Sequence, residues 1–234
     1  MAINVNEVYQ TVLFVLNKEQ RGYIPPAEFN RIATQVQLEI FEKYFDDLNQ
    51  QLRVPETDNE YADRIRTIED KIQIFETQEQ LQFTGAGTFI STAPIHRLGM
   101  VEYSGIGVTP VQLQQMTQRE FTDVRRSPLT VPSVKFPIFV RRGNVFNVQP
   151  QSITDNLTAY YIQKPLDVEW GWLPGSQGQY LYDPAGSQDF QLSDIEQTEV
   201  VLKILVYAGV IIRDPQVVQT AAQMVGAEDM NEKT

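Results

Sequence analysis

A chain of 234 residues, 42% hydrophobic and 21% charged, is long enough for one large domain or two smaller ones around a real core. The absence of cysteine excludes disulfides, thiolate metal sites and cysteine nucleophiles, and the single histidine, His96, gives no imidazole cluster for a metal or a proton relay. A formal net charge of −11 disfavours a protein that grips nucleic acid phosphates tightly.

The N-terminus lacks the basic start and apolar core of a signal peptide. Over residues 4–17, Val5, Val8, Tyr9, Val12, Leu13 and Leu16 recur three and four apart, which predicts an amphipathic helix. Arg21-Gly22 to Pro25-Pro26 breaks it, and Pro26 suits the first turn of a second helix running to about Leu52. The first half of that helix presents a narrow stripe (Phe29, Ile32, Ala33, Val36). Its second half spreads apolar side chains, including Phe41 and Phe45, over a wider arc that needs a second partner. Another helix of the same chain or a neighbouring subunit would serve. Val54-Pro55 ends the helix, and Thr57-Asp58-Asn59 caps a third that runs to about Phe75, with Tyr61, Ile65, Ile68, Ile72 and Phe75 on one face.

Beyond Gln78 the period shortens. Residues 81–83 and 88–90 flank Gly85-Ala86-Gly87 as a hairpin, and 97–103, 108–113, 136–141, 145–148 and 157–162 read as strands, with a tight turn at Arg142-Gly143-Asn144. Thr117 and Glu120 have the spacing of a capping box and start one short helix among them. Residues 163–186 lack periodicity and carry both tryptophans. Helix returns at Ser193, with Glu196 in capping-box position, and the apolar run 200–212 is too short to span a bilayer. Asp214-Pro215 opens a last helix (Val217, Val218, Ala221, Ala222, Val225), followed by a polar tail at 228–234. The expected architecture is α+β: a helical bundle formed by N-terminal residues 1–77 and C-terminal residues 193–234, with a β-rich domain, 78–192, inserted between them.

The residues that carry chemistry are sparse. Gly85-Ala86-Gly87 lacks the third glycine, lysine and helix of a phosphate cradle. The acidic pairs Asp46-Asp47 and Glu69-Asp70 fall on helices, where neighbours point about 100° apart and read as solvated faces. No catalytic, cofactor-binding or metal residue is assigned. The features that stand out suit interfaces. Between residues 119 and 142 lie Arg119, Arg125, Arg126, Lys135, Arg141 and Arg142 against only Glu120 and Asp123, whereas residues 42–76 hold ten acids and five bases. Such opposed regions orient head-to-tail stacking of copies; a merely solvated surface, and behind these two a DNA-backbone contact, are the alternatives for the basic stretch. Trp170, Trp172, Tyr180 and Tyr182 lie in the irregular segment, either as interface anchors or as pins onto the chain's own β-rich domain.

Several stretches resemble known sequences. The helix Glu28-Phe29-Asn30-Arg31-Ile32-Ala33-Thr34-Gln35-Val36-Gln37-Leu38-Glu39-Ile40-Phe41-Glu42 is similar to one in uncharacterised virion proteins of short-tailed bacteriophages, notably the crAss-like group. So are Leu48-Asn49-Gln50-Gln51-Leu52-Arg53-Val54-Pro55, Ser127-Pro128-Leu129-Thr130, Tyr161-Ile162-Gln163-Lys164-Pro165 with Trp170, and the closing segment from Glu196 through Tyr207-Ala208-Gly209 to Ala221-Ala222-Gln223. The resemblance implies a structural virion protein, and more sharply a ring or adaptor (head–tail connector) subunit at the portal vertex, made in the host bacterial cytoplasm. The partners it implies are further copies in a twelve-fold ring, the portal protein, neighbouring tail or ring proteins and passing double-stranded DNA, with no membrane. Two rivals stand beside it. One is a capsid accessory protein away from the portal; the other is a virion-associated hydrolase, for which Asp183 and Asp189 are the available carboxylates.

Overall fold

A computed structural model describes residues 2–18, 23–52, 60–105, 109–176, 178–211, 220 and 223–224. The chain is α+β and forms two compact units, Met1–Ile74 together with Pro165–Thr234, and Phe75–Lys164. The expected β-rich insertion ran on to residue 192; the compact β unit closes at Lys164, and the segment 165–192 groups with the helices. Several sequence-based expectations lie outside the described residues: the Arg21-Gly22 break, Val54-Pro55, the Thr57-Asp58-Asn59 cap, Val108, the Asp214-Pro215 helix start and the tail.

The helical unit opens with strand β1 (Ala2–Ile3) and helix α1 (Val5–Lys18). Asn4 starts α1, its side-chain oxygen accepting from the amides of Asn6 and Glu7 at 3.0 and 3.1 Å. Helix α2 (Pro26–Gln51) follows, with Pro26 in its first turn, and then α3 (Glu60–Gln73). After the β unit, strands β11 (Trp172–Pro174), β12 (Tyr180–Tyr182) and β13 (Phe190–Ser193) lead through a 3-10 turn at Asp194–Glu196 into α5 (Gln197–Ile211). Strand β13 pairs antiparallel with β1.

Helix α2 packs on both α3 and α5, and α1 packs on α5. The wide apolar arc of α2 therefore finds its second partner within the chain. Phe41 and Phe45 are 1% and 4% exposed, with their rings edge-on at 5.1 Å. On α5, Val200, Ile204, Leu205 and Ala208 are buried. Among the described residues no helix is long and apolar enough to cross a membrane.

Charges also enter this core. Ser193 makes no side-chain cap bond, so the expected capping box does not form. Glu196 turns inward instead, its carboxylate 2.6 Å from Lys71 of α3, while Glu199 meets Lys43 at 3.3 Å and Lys203 at 3.7 Å. Both glutamates are buried. Burial pushes the Glu199 carboxyl up against the opposing pull of Lys43, and Glu196 beside it adds to the rise.

In the β unit, β2 (Glu76–Gln80), β5 (Arg97–Tyr103), β6 (Val111–Gln112) and β10 (Leu157–Ile162) form a four-stranded sheet in the order β2-β10-β5-β6. A five-stranded sheet runs β3-β4-β9-β8-β7, from β3 (Gln82–Gly85), β4 (Thr88–Ile90), β7 (Gln114–Gln115), β8 (Ile138–Arg142) and β9 (Val145–Gln149). All pairings are antiparallel except β7 with β8. One core joins the inner faces: Phe89, Val101, Phe139, Phe146, Leu157 and Ala159 all belong to it. The alternation of strand side chains explains this, since Leu157, Ala159 and Tyr161 are buried while their neighbours face outward.

The hairpin at Gly85-Ala86-Gly87 forms, with all three residues at positive φ. A Cβ on Gly87 would stand 2.7 Å from the Val148 carbonyl, so glycine is required there. Helix α4 (Gln118–Arg126) begins with both arms of the Thr117–Glu120 capping box in place. Its Phe121 packs with Ile138 and Val140, on the face of β8 opposite Phe139.

Candidate functional site

A polar ladder shows how the helical unit holds the segment after Pro165. Along one face of α2, Asn30, Thr34 and Gln37 recur at helical spacing, and each bonds the backbone of an extended strap. Gln37 donates to the Leu166 carbonyl at 2.7 Å and accepts from the Gln191 amide at 2.8 Å. Thr34 accepts from the Val168 amide at 3.1 Å. Asn30 accepts from the Trp170 amide at 2.9 Å. Residues 166, 168 and 170 point one way in an extended chain, so strand and helix periods match over this length. The side-chain amide of Gln37 is fully buried, and these bonds satisfy it.

The strap ends on Trp170, which is 5% exposed. Its ring lies 4.6 Å from Tyr9 and stacks on Tyr182 at 5.6 Å, and its indole N–H donates to the Asn6 side chain at 3.1 Å. Tyr9 in turn donates to the Ile24 carbonyl at 2.9 Å, and burial raises its pKa. Gly171 comes next. Any Cβ there would sit 2.5 Å from the backbone of Gly186, so the chain passes too close for another residue.

Beyond Gly171 the chain leaves the core as an antiparallel ribbon of β11 and β12, with Trp172 opposite Tyr182, Leu173 opposite Leu181 and Pro174 opposite Tyr180. Its turn closes with the Gly175 amide donating to the Gln179 carbonyl at 2.7 Å. Trp172, Leu173, Tyr180 and Leu181 are 41%, 56%, 41% and 51% exposed. Trp172 and Tyr180 sit on one face, edge to ring at 4.6 Å, and the two leucines on the other. An isolated two-stranded ribbon is marginal in water, and one that is apolar on both faces is suited to burial against a partner.

A second exposed apolar feature lies in the β unit, in the loop 127–137 between α4 and β8. Leu129, Val131 and Phe136 are 96%, 61% and 78% exposed. Arg119, Arg125 and Arg126 of α4 and Lys135 of the loop are exposed too, with the Arg125 guanidinium 5.8 Å from the Phe121 ring. The other two arginines of the basic stretch hold local structure. Arg141 donates to the carbonyls of Gly143 at 2.7 Å and Ile95 at 3.0 Å, and Arg142 donates to the Gln118 side chain at 2.9 Å.

The residues singled out as interface from sequence therefore divide. Trp172, Tyr180, Arg125, Arg126 and Arg142 are exposed. Phe41, Phe45 and Trp170 are buried in the helical unit, Tyr182 is half-buried as the base of the ribbon, and Arg141 and Arg142 are tied to their own fold. Missed from sequence were Leu129, Val131 and Phe136, whose signal is three large apolar residues among three prolines with no periodicity.

The carboxylates offered for hydrolysis both accept from backbone amides. Asp189 accepts from the Val5 amide at 2.8 Å and Asp183 from the Ala185 amide at 3.1 Å. A further polar cluster surrounds Glu79 on β2. Its carboxylate accepts from the Ser91 hydroxyl at 2.7 Å, the Thr92 amide at 2.8 Å, the Thr92 hydroxyl and Tyr161 at 3.3 Å. Burial alone would raise its pKa, but the bonds from Thr92 and Ser91 outweigh it and hold the carboxyl at about 2. This group remains ionised at neutral pH and clamps the loop after β4 to the other sheet. His96 is exposed just ahead of β5. Among the described residues no group of three or more potential ligands is placed to hold a metal.

No family profile matches this chain, and no curated protein matches it at a significant level.

Proposed function

We propose that this chain is a structural subunit of a head–tail connector ring at the portal vertex of a short-tailed bacteriophage, and that it acts by assembly rather than catalysis. The observation that carries this reading is the ribbon of β11 and β12, an exposed apolar pair of strands anchored on the buried Trp170 of the helical unit. Rigid aromatics on such a mount bury area on docking at low cost in conformational entropy. The resemblance of the α2 and α5 segments to short-tailed phage virion proteins supplies the setting.

In this reading the first three and last two helices form one bundle, and the β unit is an insertion within it. Copies form a twelve-fold ring in the virion. The ring binds the portal protein on one side and a tail or further ring protein on the other. Passing double-stranded DNA runs through a channel whose subunits carry a net charge of −11 each, which favours sliding over adhesion.

The test is mass measurement of the purified chain, alone and with portal protein, beside a Trp172→Ser/Tyr180→Ser variant. The wild type should join the portal and the variant should bind at least tenfold more weakly with its melting temperature unchanged. About a dozen copies per virion would fit a ring, whereas hundreds would assign it to the shell. A chain recovered only as an inert monomer that never joins the portal would sink the proposal.

A further inference from the structure

The sequence shows one acidic and one basic region; the structure shows what surfaces they make. In the acidic region, Lys43 and Lys71 are drawn inward to the buried Glu199 and Glu196. Among the described side chains of the later part of α2 and of α3, Asp46, Glu69 and Asp70 are exposed acids and Arg66 an exposed base. Leu52 at the end of α2 and Ile74 just after α3 are 60% and 52% exposed. Two of its lysines are thus taken up by buried glutamates, and it carries apolar residues at its ends.

The loop 127–137 is its complement. It presents Leu129, Val131 and Phe136 to solvent, and Arg126 and Lys135 are exposed too. The loop is also preorganised. Pro128, Pro132 and Pro137 restrict its backbone, and the Thr130 amide bonds the Ser127 carbonyl at 3.3 Å. The Phe136 amide closes a second turn on Ser133 at 3.0 Å, and the Thr130 hydroxyl reaches the Val124 carbonyl at 3.4 Å. Little further ordering is lost when such a loop docks.

We infer that the loop 127–137 of one copy docks on the acidic α2–α3 face of a second copy. The inference rests on the self-assembly part of the proposed function and names its contact. Whole copies of net charge −11 repel, but at physiological salt that repulsion is screened beyond about 8 Å, whereas opposite charges in contact are not. Local complementarity thus decides the encounter and fixes its orientation. The two surfaces differ, so the contact is heterologous. Each copy keeps one loop and one face for further neighbours, and the array closes as a ring or continues according to the rotation per subunit.

The experiment uses the full chain in sedimentation velocity over a range of concentration and salt. Arg126→Glu/Lys135→Glu should weaken self-association about tenfold or more, and Glu69→Lys/Asp70→Lys should do the same. Combining all four reversals should restore it. Phe136→Ser should cost about tenfold by removing apolar contact, with an unchanged melting temperature as the control for folding. A wild type that remains monomeric to its solubility limit overturns the inference. So does association that is indifferent to the loop reversals, including the case in which those reversals abolish retention on double-stranded DNA instead, which would give the loop to a polyanion. Self-association through these residues without portal binding would leave this contact standing and remove the connector reading. Portal binding with self-association indifferent to the reversals would do the opposite.

Discussion

Trp170 and Trp172 stand two residues apart with one glycine between them, yet their surroundings are opposite. Trp170 is enclosed by Tyr9, Tyr182 and the Asn6 side chain, whereas Trp172 is 41% exposed on a ribbon. The residue type is the same, so hydrophobicity does not distinguish them. What differs is the backbone on either side of Gly171. Before it, every second residue of the strap is fastened by Asn30, Thr34 or Gln37; after it, the two strands pair with each other. Burial of the first tryptophan follows from a polar ladder on a helix.

The largest effect expected from that contrast is on stability. Trp170→Ala removes the ring and its bond to the Asn6 side chain, and should cost about 3–5 kcal/mol. Denaturant unfolding of this variant beside Trp172→Ala measures the contrast directly. Equal losses in the two would mean that the ribbon is part of the core.

The ladder itself is the next target. Gln37→Leu keeps the volume but leaves the Leu166 carbonyl and the Gln191 amide without their partner, a loss of about 2–3 kcal/mol. Hydrogen exchange should then show faster exchange along residues 166–170 and 191, with the centre of α2 still protected. Uniform loss across the unit would show that the strap and helices unfold only together.

Much of the helical order was legible because apolar spacing reports it. Residues 97–103 and 157–162 coincide with β5 and β10, and the Thr117–Glu120 box is present as its spacing predicts. The failures have a common cause: polar residues whose partners are distant in sequence. Asn30, Thr34 and Gln37 look like solvated interruptions of an apolar stripe until the strap, about 130 residues on, is placed against them. Glu196 has capping-box spacing, but Lys71 draws it into the core. Strand β2 reads Glu-Thr-Gln-Glu-Gln with no apolar alternation, and it is a strand because β10 supplies a partner for all five residues. The interface residues divided for the same reason. Aromatic content is visible in the sequence, but which aromatic is covered depends on who arrives beside it.

Glu79 extends the comparison to the β unit, where a single carboxylate fastens a loop as Gln37 fastens the strap, but with a charge that pH can remove. Its folded pKa of about 2 lies below the ordinary 4.5, so its contribution is present above pH 4.5 and is lost as pH falls through about 2. For a shielded group such a shift corresponds to about 3 kcal/mol, and solvent access reduces this to about 1–2 kcal/mol. Melting curves between pH 5 and pH 2 should therefore fall less steeply in Glu79→Gln than in the wild type. Parallel curves would remove Glu79 as the clamp.

The smallest expected effect on stability is the most telling about the ribbon. Trp172→Ser removes a large ring that already meets solvent and stands edge to ring on Tyr180, so unfolding should shift by no more than about 1 kcal/mol. Binding should respond differently, because an exposed ring gives up its water only when a partner covers it, and losing that burial costs about 1.5–3 kcal/mol. A variant that folds as the wild type does but loses tenfold or more in assembly places the ribbon in an interface. If Trp172→Ser instead lowers stability as much as Trp170→Ala, the ring is covered within the chain, and the opposition between the two tryptophans disappears.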